Sequence, residues 1–380
     1  MVTTSTTAQH WRRNCSTWPA PALRDGRPVS EAGYSSWTAL VAAFKATAAK
    51  SVKDGGAHDI NSQLVQARFD RFLSRVFADG EKSEWMLKGG GAMLARVPLT
   101  RGTKDLDLAA SAADLDEALH ALEERASVDL GDHIRFELAR TTDTGQGDNQ
   151  PGTQTRRAQF TAYDADTGKK IGDIPVDIVV GPPPVGVPEV VNPANRIHLP
   201  RPIPTHPYRL YPLADQVAEK VCATLSRYGG VPSSRTKDLI DLVVIARTQR
   251  LNARELQRAI DAKRLMSQIG EVSTFTIPEG WRRTYQALAK STPSTGGITD
   301  VADAQELVAA LVNPALAPDP APSNITWIPG SGWLAEPEPS AEPLRAPDSA
   351  GSDVWVRRHV RAGWPVSEHS RSPRGSRADP

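Results

Sequence analysis

Two aspartates spaced two apart, Asp105 and Asp107, stand in the alternating run TKDLDLAA. On a strand that spacing turns both carboxylates to one face and sends Leu106 and Leu108 to the other. Co-facial carboxylates suit Mg²⁺, with Mn²⁺ as a substitute, because such a cation takes oxygen ligands and keeps places for phosphate and water. A third carboxylate, Asp177, stands in IPVDIVV between Val176 and Ile178. Three acids can hold a pair of ions about 3.5–4 Å apart, one beside an attacking hydroxyl and one beside a leaving pyrophosphate. Upstream, Gly89, Gly90 and Gly91 follow the short apolar run WML and Lys88. Residues without Cβ let backbone N–H groups close on phosphate oxygens, and a helix beginning at Ala92 adds its dipole. Singly, a triple-glycine turn is only a turn, and an acidic alternating strand is only a solvated sheet face. The order is what points to a metal-dependent triphosphate site: strand, glycine turn, helix, Asp-x-Asp strand, then a later strand with Asp. The commoner cradles, G-x-x-x-x-G-K-[ST] and G-x-G-x-x-G, do not occur in this run.

These residues need a sheet to hold them. Apolar residues recur at helical spacing over 36–50 and 61–78, with Val65, Phe69, Phe72, Leu73 and Val76 in one stripe. Residues 115–125 read as another helix; 134–138, 157–163 and 174–180 read as strands, with a loop over 141–155. Ten prolines fall between residues 182 and 212, which predicts an extended connection without helix or central strand. Beyond it the pattern is helical over 213–228, 236–247, 253–262, 281–290 and 303–312. The fold class is therefore α+β: a mixed sheet with flanking helices, then an α-helical domain, with the nucleotide between them. The expected divisions are a flexible N-terminus (1–33), a sheet-bearing core with its N-terminal helices (34–212), the helical domain (213–313) and a Pro-rich, disordered tail (314–380). That tail holds 12 of the 31 prolines, but also Trp327, Trp333, Trp355 and Trp364, which suit loose packing on the body.

The helical part carries a second polar pattern. In LADQVAEKVCATLSRY, Leu213, Val217, Val221 and Leu225 form the buried stripe, and Gln216, Lys220 and Arg227 run beside it as a strip. In RTKDLIDLVVIA, Asp238 and Asp241 lie three apart in the first turns of a helix, away from the stripe of Leu239, Leu242, Val243 and Ala246. On spacing alone, Lys220 is a snorkelling surface lysine and the aspartates are helix-start residues.

KGGGAMLARVPLTRGTKDLDL followed by VDIVV resembles the polymerase-β-like nucleotidyltransferase superfamily, marked by Gly-Gly or Gly-Ser, a spacer and D-h-D. More narrowly, the chain resembles the AbiEii/AbiGii toxin family, the toxin halves of bacterial type IV toxin–antitoxin systems. Leu87 to Gly90 and Arg101 to Leu108 match its opening motif; Ala218, Lys220 and Lys237 to Leu242 match its later A-x-K and K-D-x-x-D-L. The likeness spans about residues 60 to 315. It implies transfer of a nucleotidyl group from an NTP to an acceptor, the 3′ end of tRNA, with inhibition of translation, and it implies a cognate antitoxin protein. It also implies catalytic roles for Asp105, Asp107, Lys220 and Asp238, and nucleotide contacts from Gly89, Gly90, Gly91, Arg101, Lys220 and Asp241. Asp105, Asp107 and Asp177 would hold the metal. Two other readings stay open: a kinase-like phosphotransferase acting on a protein through the same carboxylates, and an idle module that only binds the antitoxin.

The rest of the composition narrows the class. A net charge of +1 across 380 residues gives no global attraction to nucleic acid, so any such contact needs a local basic patch. Two distant cysteines, Cys15 and Cys222, indicate no disulfide framework, and the eight histidines show no zinc-hydrolase spacing. No apolar run is long enough to span a bilayer and the start lacks a signal-peptide pattern, so a cytoplasmic, non-membrane protein is expected.

Overall fold

A computed structural model describes residues 33–55, 59–144 and 153–336. Two helices open it, α1 (Trp37–Lys53) and α2 (Ile60–Val76), started by side-chain caps from Ser36 and Asp59. Then come β1 (Trp85–Lys88), α3 (Gly89–Arg96), β2 (Leu106–Ala110), α4 (Leu115–Ala126), β3 (Ile134–Asp143), β4 (Gln154–Asp164) and β5 (Lys170–Val180). Two short strands follow, β6 (Glu189–Val191) and β7 (Tyr208–Leu210). All seven strands form one mixed sheet in the order β3-β4-β5-β2-β1-β7-β6.

Alternation sorts the two faces of the sheet. Trp85, Leu87, Leu106, Leu108, Val176 and Ile178 point into a core shared with Phe69, Phe72, Leu73 and Val76 of α2 and Leu122 of α4. The stripe read from the sequence is thus the one that packs. Residues one step out of phase, Lys88, Asp107 and Asp177, lie on the opposite face.

That face is met by the helical part: α5 (Leu213–Leu225), a two-residue hairpin β8 (Arg227–Tyr228) and β9 (Val231–Pro232), α6 (Thr236–Thr248), β10 (Leu251–Asn252), α7 (Ala253–Met266), α8 (Arg282–Lys290) and α9 (Val301–Leu316). A second core forms from Val217, Val221, Leu239, Leu242, Val243, Leu256, Ile260 and Val308. Short α3 serves both cores: Ala92 and Ala95 face the sheet, whereas Met93 and Val97 just beyond it face the helices. Among the described residues no helix is long and apolar enough to cross a membrane.

Four local readings differ from the structure. The three glycines form the first turn of α3 rather than a preceding loop, because Gly89 takes φ +56° and turns the chain straight into the helix. β7 lies inside the sheet, parallel to β1 and antiparallel to β6. Its three residues fit between Pro207 and Pro212, where no proline interrupts the ladder. Arg227 leaves the Lys220 strip because α5 stops at Leu225; its guanidinium bonds the Gly230 carbonyl instead. Order also continues past residue 314: α9 runs to Leu316 through Pro314, and β11 (Ile325–Ile328) pairs with β10 and β12 (Gly332–Ala335). Trp327 is the physical reason, since its ring is buried in the helical core and its indole N–H donates to the Ala246 carbonyl. The readings of residues 1–32 and 337–380, with Trp355 and Trp364, lie outside the described residues.

Candidate active site

Strand register assembles a row of four charged residues across the open sheet face. Lys88 pairs with Asp107, Asp107 with Asp177, and Asp177 with Arg157. Arg157 clasps Asp177 with two bonds of 2.7 and 2.5 Å, and its Nη2 also reaches Asp105 at 3.2 Å. The Thr103 hydroxyl holds the other Asp105 oxygen at 3.1 Å. Asp107 has no such clasp. Burial, reinforced by the negative charges of Asp105 and Asp177, pushes its carboxyl up to about 6 against the pull of Lys88 and Lys220.

The glycine helix start makes room for this carboxylate. A Cβ on Gly89 would lie 1.9 Å from Asp107 Oδ2, and one on Gly90 would meet the Thr103 side chain at 2.9 Å. Gly91 is tight against Leu87, at 3.0 Å. No side chain caps the α3 N-terminus, so its dipole and first-turn N–H groups stay available beside Asp107.

Across from the row, α5 and α6 bring in the second motif. Lys220 is 6% exposed, so it is no snorkelling surface residue. Its ammonium donates to Asp241 at 2.6 Å and to Asp238 at 3.1 Å. Burial opposes the charge on Lys220, but the two carboxylates outweigh it and hold the pKa above the ordinary lysine value. Asp238 also takes Arg235 at 2.6 Å; burial works against its charge, and Lys220 and Arg235 hold it below the usual carboxylate range. Asp241, expected at the nucleotide, is fully enclosed. Arg101 clasps it at 2.8 and 2.7 Å while Lys220 takes one oxygen, so no lone carboxylate faces the cleft there.

The two halves meet in a cavity of about 160 Å³ lined by Gly89, Asp107, Lys220, Asp238, Arg235 and Glu219, among others. Gly89, Asp107, Lys220 and Asp238 of the sequence-read set are therefore brought together. Arg101 and Asp241 stand behind Lys220, and Asp105 and Asp177 flank Asp107 under Arg157. Four further charged residues complete the site: Arg157, Lys88, Arg235 and Glu219. Lys88 lies over the Tyr211 ring at 4.3 Å and donates to Glu219 at 2.6 Å; Lys263 reaches the same oxygen at 3.4 Å. Lys88 and Arg235 adjoin motif residues and could have been flagged. Arg157 and Glu219 carry no spacing signal, because only strand register and helix docking place them. Among the described residues no three His, Cys, Asp or Glu side chains stand together as a ready-made metal cage.

The class of protein, a nucleotidyltransferase, is shown by the family that the sequence matches. More narrowly, the family described as "Nucleotidyl transferase AbiEii toxin, Type IV TA system" matches residues 71–309, and the chain belongs to it: it is a nucleotidyltransferase toxin of the toxin–antitoxin kind. Membership implies a nucleotide substrate and a cognate antitoxin. Among solved structures, the chain is similar to MenT4, a nucleotidyltransferase toxin from Mycobacterium tuberculosis, at 16% identity and a TM-score of 0.40, covering 68% of this chain and 92% of that one. It is also similar to JHP933 from Helicobacter pylori, at 15% identity and a TM-score of 0.34, covering 66% and 93%. Among proteins of curated function, none matches the sequence significantly.

Proposed function

We propose that this toxin transfers a nucleotidyl group from an NTP to an RNA 3′ end, the acceptor end of tRNA, and so stops translation in the cytoplasm. The observation that carries the transfer chemistry is that Asp107, next in register to Asp177 on the sheet, lines one cavity with Lys88, Gly89 and Lys220. The tRNA acceptor rests on the family resemblance.

Asp105, Asp107 and Asp177 suit a divalent cation, Mg²⁺ or Mn²⁺. The Arg157 guanidinium, a positive group, already sits between Asp105 and Asp177, and Asp107 carries charge that its neighbours do not relieve. Mg²⁺ characteristically uses one or two carboxylates and completes its shell with substrate phosphate and water, so a full protein cage is not required. When bound, the ion supplies charge to the triphosphate and to the acceptor hydroxyl.

The protein's own residues do the rest. The uncapped α3 N-terminus receives phosphate oxygens, with Gly89 keeping that approach clear. Lys220, held charged by Asp238 and Asp241, lies where a compact cation can meet a phosphate, and Asp238 orients it. Asp241 acts through Lys220 and Arg101 rather than on the nucleotide. Arg157 must release at least one of its two carboxylates for them to serve. In the reaction the acceptor hydroxyl bonds to the α-phosphorus, the α–β bridge breaks, and pyrophosphate leaves. Sequencing the 3′ ends of cellular RNA after induced expression tests the acceptor. Added nucleotides at tRNA 3′ ends, absent with Asp107→Asn, support the reading; unextended tRNA with another extended RNA class refutes it.

A further inference from the structure

The 160 Å³ cavity borders a groove on the side of α6 and α8. Arg235 and Asp238 line both the cavity and this groove of about 320 Å³, which also holds Arg101, Lys237, Thr284 and Leu288. Tyr228, on the β8–β9 hairpin, stands at the rim of the same cavity. We propose that hairpin and groove form the docking surface for the 3′ strand of the acceptor RNA, with the Tyr228 ring stacked on the terminal base and Arg235 and Lys237 on the phosphates behind it. This rests on the nucleotidyl-transfer reading and adds where the acceptor lies and which side chain fixes its end.

The hairpin presents a ring instead of burying one. Gly229 and Gly230 take φ +57° and +80°, the pair of positive values that lets two residues reverse an antiparallel pair of strands. Arg227 ties the turn, donating to the Gly230 carbonyl from Nε at 3.1 Å and from Nη2 at 2.8 Å. The root is anchored as well, because the buried Trp281 indole N–H donates to the Ser233 carbonyl at 3.0 Å. Yet Tyr228 is 41% exposed, its partner Val231 is 64% exposed, and neither joins either large core. An aromatic ring held firmly at the edge of a reaction cavity, and idle in folding, is free to meet a ligand. Stacking on such a ring accepts any base, since every base has a π-face.

Charge argues for RNA as the occupant. Three cations line the groove against one carboxylate, Asp238, which already accepts from Lys220 and Arg235. Thr284 and Leu288 bring α8 to the groove, and the exposed Arg282 and Arg283 directly precede Thr284. In a chain of net charge +1, this is the local basic patch that a polyanion requires. A free NTP ends within the site. A strand must leave it across an open surface that offers cations in succession, and the groove headed by Arg235 supplies one.

Binding without turnover tests this. Full-length protein is titrated, without NTP, into a fluorescein-labelled RNA hairpin carrying a short single-stranded 3′ tail, and anisotropy is read across a salt series. Tyr228→Ala should weaken binding at least about fivefold, and Tyr228→Phe, which keeps the ring, should bind like wild type. Lys237→Ala should flatten the slope of log affinity against log salt by roughly 0.7, one phosphate contact on a single strand. On a blunt RNA hairpin without the tail, Tyr228→Ala should bind like wild type. In turnover, Tyr228→Ala should raise the KM for RNA and leave the KM for NTP alone, at an unchanged unfolding temperature. Should Tyr228→Ala disturb the hairpin, Val231→Asp puts a negative charge at the exposed position opposite the ring and should weaken binding of the tailed RNA. Tailed RNA bound equally by wild type, Tyr228→Ala and Lys237→Ala would overturn the assignment and leave this face to a protein partner. Equal losses by Tyr228→Ala on tailed and blunt RNA would overturn it too. RNA held through these residues by a protein that transfers no nucleotide would sink the transferase reading and leave the docking surface standing. Brisk transfer indifferent to every one of these variants would do the reverse.

Discussion

Asp107 of the carboxylate row on the sheet and Lys220 and Asp238 of the cluster on the helices line one cavity, yet the row and the cluster are electrostatic opposites. On the sheet, Asp105 and Asp177 share Arg157, while burial and the charges of Asp105 and Asp177 raise the pKa of Asp107 against the pull of Lys88 and Lys220. On the helices, every carboxylate meets two cations: Asp238 has Lys220 and Arg235, and Asp241 has Lys220 and Arg101. The first arrangement is incomplete without an added positive charge. The second is a finished scaffold whose product is one fixed ammonium group. A motif can thus mark a functional region in two ways, by residues that meet ligand and by residues that hold those that do. Burial of charge is no marker alone: Arg71 and Arg75 are as enclosed as Asp241, bonded to Asp132 between α2 and the start of β3, and line neither that cavity nor the groove beside it.

The largest effect should separate the two regions by activity without stability. Asp107→Asn should lower transfer on the order of 10²–10³-fold, the scale of removing one charge-stabilising group from a reacting centre. Its urea-unfolding midpoint should not fall. A variant that transfers at the wild-type rate would empty the row of its role.

Next comes the reverse signature. Asp241→Ala leaves Lys220 and Arg101 buried beside a missing partner, which should destabilise the fold by about 3–5 kcal/mol. Asp105→Ala, at a half-exposed carboxylate, should change stability by about 0–1 kcal/mol. Chemical denaturation of both, side by side, checks the contrast; equal losses would erase it.

A smaller effect concerns Arg157. Its bonds to Asp105 and Asp177 are partly exposed, each of a kind contributing about 0.2–1 kcal/mol. If it competes with a cation, Arg157→Ala should lower the Mg²⁺ concentration needed for half-maximal transfer by a few-fold. A collapse of activity at saturating Mg²⁺ would instead put Arg157 in the transfer machinery.

The smallest is a pH trend in metal-free buffer. Because the folded pKa of Asp107 lies near 6, above the ordinary value of 3.8, its charged form opposes folding as pH rises through that window. Asp107→Asn should therefore unfold at a slightly higher temperature than wild type at pH 7.5, and the gap should close as pH falls from 6 towards 4. A gap that widens on acidification would contradict the assignment of its charge.

Much of this was legible in the sequence because local patterns fix it. The α2 stripe, the alternation of β2 and β5, and the Asp-x-Asp spacing depend only on residues a few positions apart. Which strands neighbour one another does not. Asp107 faces Asp177, and Arg157 faces Asp177, through pairings 70 and 20 residues distant in sequence (177 − 107 and 177 − 157). Lys220 looked like a surface lysine on helix spacing, since the docking of α6 on α5 that encloses it leaves no trace in either helix alone. Trp327 was hidden by composition: the proline-rich count averaged over residues 314–380 concealed a short hairpin anchored by one buried indole.

The central claim is attack at the α-phosphorus in the cavity shared by Asp107 and Lys220. Purified protein, Mg²⁺ and total tRNA are incubated separately with α-labelled and γ-labelled NTPs, with Asp107→Asn in parallel. The predicted result is α-label joined to RNA, γ-label released as pyrophosphate, and both signals lost in the variant. γ-Label appearing on protein or RNA, or α-label transferred equally well by Asp107→Asn, would contradict it.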